Sequence, residues 1–155
     1  MQDSIIIREF VESDMERVKQ IETASLRELT PLSSIQLFYE IPKEGFIVAE
    51  DGGKVVGFLV ANVRSPLEGE LEGHILSIAV DPEYRRRGIG ACLVTGIINT
   101  LKNKGVRKVA LEVKLKNHGA REFYRLLGFK ESHVVKHYYR MRGYTEDALV
   151  MSKEL

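Results

Sequence analysis

The chain has 155 residues, 44% of them hydrophobic and 29% charged, with a formal net charge of +1, which suits one globular domain over residues 1–155 and leaves no room for a second full one. No apolar run approaches the ~20 residues of a membrane-spanning helix, and Met1-Gln2-Asp3-Ser4 lacks the charged start and apolar stretch of a secretory leader, so a cytoplasmic protein is expected. The single cysteine, Cys92, cannot form an internal disulfide, and with four scattered histidines it makes no zinc spacing, so no metal is expected.

Residues 5–10 read as a first strand, and Ser13-Asp14 supplies N-cap chemistry for a helix carrying Val18, Ile21 and Leu26. Pro31 ends or redirects that helix, and residues 32–42 have short helical character through Ile35, Leu37 and Phe38. Residues 46–50 and 54–61 flank Asp51-Gly52-Gly53, the pattern of a β-hairpin. After a loop over 65–73, the nearly continuous apolar run 74–80 reads as a strand covered on both faces and ended by Asp81-Pro82. From Ile89, apolar Leu93, Ile97 and Leu101 recur every fourth position, giving an amphipathic helix that runs to Lys104 and stops at Gly105. Residues 109–113 form the next buried strand. Ala120, Phe123, Tyr124 and Leu127 then fit helical spacing, with Gly128 as C-cap. Two closing strands, 130–138 and 148–153, are joined by a loop over 139–147. The order β α (α) β β β α β α β β predicts an α/β fold: a mixed, mostly antiparallel sheet of about seven strands and about four helices, parallel where 74–80 crosses by a helix to 109–113.

Between that strand and helix lies Tyr84-Arg85-Arg86-Arg87-Gly88-Ile89-Gly90-Ala91, where the charge changes sign. Residues 1–84 hold seven Lys and Arg against sixteen Asp and Glu, and residues 85–155 hold sixteen against six. A helix start presents unpaired amides and a positive dipole end, which together receive an anion. Gly88 and Gly90 let a phosphate approach the backbone, and the arginines add charge and donors. The plainer alternative is a solvated basic turn. A P-loop fails because Gly53-Lys54 has no matching upstream glycine and is followed by Val55. A dinucleotide fingerprint fails for want of a third glycine after Gly90, and no nucleic-acid motif accompanies the arginines.

Arg85-x-x-Gly88-x-Gly90 after a strand resembles the coenzyme A pyrophosphate loop of the Gcn5-related N-acetyltransferase (GNAT) superfamily. Asn117-His118-Gly119-Ala120 and Phe123-Tyr124-Arg125-Leu126-Leu127-Gly128-Phe129 resemble its second cofactor motif, and the element order matches across essentially the whole chain. Gly73-His74-Ile75, Leu111-Glu112-Val113, Tyr138-Tyr139 and Glu146-Asp147-Ala148 are similar to the RimI-type and archaeal N-terminal (Nα) acetyltransferases. The resemblance implies the GNAT fold, with its parallel strands splayed around acetyl-CoA. It also implies that coenzyme A is the product and that Ile78, Ala79, Val80, Arg85, Arg86, Arg87, Gly88, Ile89, Gly90, Ala91, Asn117 and Tyr124 line the cofactor.

Glu112 is the one charged residue inside an apolar strand, and a buried carboxylate is either paired or functional. Lys114 alternates onto the same strand face, so a structural ion pair is the plain alternative. In the resembling enzymes this glutamate is the general base and a tyrosine, here Tyr124, the acid that protonates the leaving thiolate; without that role Tyr124 is an ordinary half-buried helix aromatic. His74 enters as an auxiliary base by the same resemblance, against the alternative of a satisfied structural histidine. A backbone N–H near Ile78 to Val80 would meet the oxyanion. Tyr138 and Tyr139 resemble a pair that binds the substrate backbone, and Glu28 aligns with a substrate-binding glutamate, although Arg27 stands where those relatives have proline.

The attacked amine must be neutral. With ordinary pKa values near 8 for an α-amine and about 10.4 for lysine, roughly one α-amine in ten but about one lysine in two thousand qualifies at pH 7, a gap of about 3 kcal/mol. The expected function is therefore transfer of acetyl from acetyl-CoA to a protein N-terminus by direct attack. The alternatives are a lysine or small-amine acetyltransferase of the same fold and a non-catalytic acyl-CoA sensor. Expected partners are peptide N-termini, with a ribosome-associated auxiliary subunit left open and neither membrane nor nucleic acid.

Overall fold

A computed structural model describes residues 4–25 and 41–155. Seven strands form one sheet in the order β1-β2-β3-β4-β5-β7-β6. They are β1 (Ile5–Glu9), β2 (Phe46–Asp51), β3 (Lys54–Arg64), β4 (Glu72–Val80), β5 (Lys108–Lys114), β6 (Lys130–Met141) and β7 (Tyr144–Glu154). Every neighbouring pair is antiparallel except β4 and β5. Among the described residues the α-helices are α1 (Met15–Ser25), α2 (Ile89–Asn103) and α3 (His118–Leu126), none long and apolar enough to cross a membrane. The mixed sheet with one parallel pair is the architecture expected from the sequence. Glu28 and nearly all of the helical reading over 32–42 lie outside the described residues.

Local chemistry explains the elements. The β2–β3 turn has Gly52 at φ 58° and Gly53 at φ 86°, both left-handed, as a two-residue turn matching strand twist requires. The chain enters α1 through Asp14, whose carboxylate accepts the Val11 N–H at 2.9 Å and two bonds from the Arg8 guanidinium at 2.8 and 2.9 Å. Helix α2 starts at Gly88, φ 79°, and ends before Gly105, φ 84°. Asn117 caps α3 by accepting the Ala120 N–H at 3.0 Å.

The loop expected over 139–147 is instead strand. Tyr139, Arg140 and Met141 pair with Glu146, Thr145 and Tyr144, leaving a two-residue turn at Arg142-Gly143 with Gly143 at φ 86°. This hairpin end is largely exposed, so it carries no apolar alternation by which a strand is recognised. Between the Val135–Ala148 and Tyr139–Glu146 pairs, β6 holds two more residues than β7. His137, at φ 58°, sits in that bulge.

Each sheet face carries its own core. On one, Leu59, Ile75, Val109, Leu111, Val113, Leu149 and Met151 pack with Leu93, Ile97 and Leu101 of α2 and Tyr124 of α3. On the other, Phe46, Val48, Phe58 and Val60 pack with Val18 and Ile21 of α1. Strands β4 and β5 pair only through Glu72–Lys108, Gly73–Val109 and His74–Ala110. Beyond these the two strands run on without pairing to each other, so the sheet opens in its middle.

Candidate active site

Glu112 lies just past the last β4–β5 pair. Its neighbours Leu111 and Val113 face the α2–α3 core, so strand alternation turns its carboxylate to the α1 side. There Oε1 and Oε2 lie 2.8 and 2.9 Å from His74 Nε2, and the Tyr138 hydroxyl donates to Oε1 at 3.2 Å. Lys114, its alternative partner, instead pairs with Glu146 at 2.9 Å. Burial raises the carboxyl pKa, but the bonds from His74 and Tyr138 and the charge of Arg64 outweigh it and hold Glu112 below the usual carboxylate range. The group is ionised at neutral pH.

His74 is 9% exposed. Arg64 Nη1 stands 3.4 Å from its Nδ1, and the same guanidinium bonds Glu72 Oε1 through Nη2 at 2.6 Å and Nε at 3.1 Å. Arg64 was missed by sequence reasoning: an arginine at the end of a strand carries no signal distinguishing it from a solvated cation. Asn62, paired with His74 in register, has a buried amide oxygen without a partner among the described residues. Burial and the nearby Glu112 charge push the Tyr138 phenol up to about 12. Tyr139 packs edge-on against Tyr138, centroids 4.9 Å apart.

Tyr124 is 5% exposed and makes edge contacts with Phe123 and Phe129 at 4.9 and 5.5 Å. Burial pushes its phenol above the ordinary tyrosine range, so it keeps its proton. Its ring belongs to the α2–α3 core, across the sheet from Glu112. The constellation is thus divided: Glu112, His74 and Tyr138 meet on one face of the sheet, and Tyr124 lies in the core of the other.

The basic loop adjoins the opening between β4 and β5. Asp81, paired with Arg17 at 2.8 Å, accepts the Glu83 N–H and ends β4. Arg85 Nε donates to Val80 O at 3.3 Å, and Arg87 lies 4.9 Å over the Tyr84 ring. Arg85, Arg86 and Arg87 are exposed, and Arg86 holds a left-handed φ of 62°. Buried Ile89 anchors the start of α2, whose first-turn amides, including those of Gly90 and Ala91, have no intrahelical acceptors. A Cβ at Gly90 would come within 3.1 Å of the Phe123 ring, so the glycine brings α2 close to α3. Exposed cations, free helix-start amides and a nearby strand opening fit a phosphate-bearing thioester. Ile78, Ala79 and Val80 lie on β4 past the last β4–β5 pair, and the Asn117 side-chain oxygen is taken by its cap.

A sequence model described as the Acetyltransferase (GNAT) family matches residues 15–129. An N-alpha-acetyltransferase of Sulfurisphaera tokodaii is 34% identical over 154 residues, covering 92% of this chain and 89% of that protein. An uncharacterized N-acetyltransferase of Methanocaldococcus jannaschii is 44% identical over 96 residues, and the match spans 61% of this chain and 42% of that relative. Among solved structures, Ard1 from Thermoplasma volcanium superposes with TM-score 0.85 at 31% identity, covering 98% of both chains. The ribosomal-protein-S18-alanine N-acetyltransferase of Escherichia coli gives TM-score 0.80 at 28% identity, covering 97% of this chain and 93% of that one.

Proposed function

Because the chain belongs to the GNAT acetyltransferase family, we propose that it acetylates protein N-termini, using acetyl-CoA and a general base and acid on opposite faces of the sheet. The carrying observation is Glu112, an ionised carboxylate gripped by His74 and Tyr138 beside the β4–β5 opening, with protonated Tyr124 on the far side. Acetyl-CoA supplies a thioester whose carbonyl is attacked by the amine and whose sulfur leaves as a thiolate. Glu112 accepts the amine proton, and Tyr124 delivers its own to the sulfur. A backbone N–H of the 78–80 stretch stabilises the oxyanion. Arg85, Arg86 and Arg87 and the amides from Gly88 to Ala91 hold the pyrophosphate.

The α-amine is favoured over lysine because a single carboxylate faces the smaller deprotonation cost. Tyr138 and Tyr139 are proposed to line the peptide entry. The relatives named for N-alpha-acetylation and for the alanine of a ribosomal protein support an N-terminal substrate. The test is incubation with acetyl-CoA and two peptide sets, one with a free N-terminus and one with a blocked N-terminus and free lysine. Acetylation confined to the first set is expected, and acetylation of lysine alone would overturn the reading. Glu112→Gln and Tyr124→Phe should each slow transfer by about 10²-fold or more while acetyl-CoA still binds.

A further inference from the structure

The contacts around His74 fix which of its nitrogens carries a proton. A guanidinium has only donors, so at the 3.4 Å contact with Arg64 Nη1 the imidazole Nδ1 must be the acceptor. Nε2, within 2.9 Å of both carboxylate oxygens, then bears the hydrogen and donates it to Glu112. Both contacts are satisfied by the neutral tautomer protonated at Nε2. A second proton on the ring would point an N–H at the Arg64 cation, which Glu72 holds in place. Among the described residues, the groups around the imidazole are Arg64 on β3, Glu72 on its own strand, Glu112 on β5 and, through Glu112, Tyr138 on β6. Lys114 is engaged by Glu146.

We propose that Arg64, held by Glu72, is a positioning residue for acetyl transfer: by occupying His74 Nδ1 it keeps the imidazole neutral and donating to Glu112, so that Glu112 alone receives the substrate proton. His74 is then a donor that orients the base, in place of the auxiliary base suggested by resemblance. Without Arg64 the ring can take a second proton at Nδ1, and the imidazolium, already against both carboxylate oxygens, makes Glu112 a weaker base for the amine. The inference rests on Glu112 as base, and its test separates the two.

Nitrogen-15 NMR of the labelled histidines reads the tautomer in the free protein, independently of activity. His74 should be neutral with its proton on Nε2 near pH 7, and Arg64→Met should bring a doubly protonated ring at pH values where the wild type stays neutral. A wild-type ring that is doubly protonated or carries its proton on Nδ1, or a variant ring that titrates as the wild type does, overturns the proposal. In kinetics, the ratio of Arg64→Met to wild-type kcat/KM cancels the titration of the substrate amine. It should fall as pH is lowered from 8 to 6, because a proton added to the ring weakens the base, and Arg64→Lys should recover part of that loss. A ratio flat with pH, with Glu112→Gln inactive, removes the role of Arg64 only. Undiminished transfer by Glu112→Gln removes the reading beneath it.

Discussion

Asp14 is 6% exposed and accepts bonds from both the Arg8 side chain and the Val11 backbone. Burial raises its pKa, but these partners outweigh it and hold the carboxyl below the ordinary aspartate range. A depressed native pKa makes the contribution complete above the unfolded value of about 3.9, and it is lost as pH falls through the native one. Asp14→Asn should therefore cost roughly 1–3 kcal/mol in urea unfolding at pH 7, with the difference from wild type shrinking in strong acid. Its place before α1 is legible in Ser13-Asp14, although its main partner, Arg8, is set by the fold. Glu112 is legible for a different reason: a lone charge in an apolar strand advertises a partner. The identity of that partner is not legible, because His74 and Tyr138 reach it from two other strands, one of them across a bulged ladder, with Arg64 standing behind His74 on a third.

At the scale of elements, strong periodicity carries far. The expected helix from Ile89 and strands 74–80 and 109–113 recur with ends within two residues, because each buries a continuous apolar stripe. The β6–β7 hairpin is the counterexample. Its end buries little, and its register depends on Gly143 and the His137 bulge, which also decides that Tyr138 rather than a neighbour meets Glu112. Glycine at the start of α2 belongs to the same scale. Gly88 at φ 79° occupies a region where a Cβ costs roughly 1–2 kcal/mol. Gly88→Ala should lower the urea midpoint accordingly and weaken acetyl-CoA affinity in calorimetry, since the loop that bends there carries the proposed phosphate amides.

For the whole molecule, the acidic first half and basic second half do not remain separate. Glu44 pairs with Lys104 and His74 with Glu112, each across the sequence division. What the halves do keep is their own part of the one sheet: β1 to β4 form one run of antiparallel strands, and β5 with the β6–β7 hairpin forms another. Only three register pairs, ending at His74–Ala110, join the two runs; helix α2 seals the join, with the Leu101 side chain close over Gly73. The opening proposed to admit a thioester is therefore also the mechanical seam of the domain. Acetyl-CoA in that seam would serve as mortar, replacing cross-strand bonds the chain itself lacks. At a hundredfold excess over Kd it should add about 2.7 kcal/mol to unfolding, read as a raised melting midpoint. Hydrogen exchange should slow most along the facing edges, residues 75–80 and 111–114, so that an enzyme emptied of its acetyl donor is looser where its two runs of strands meet than anywhere inside either.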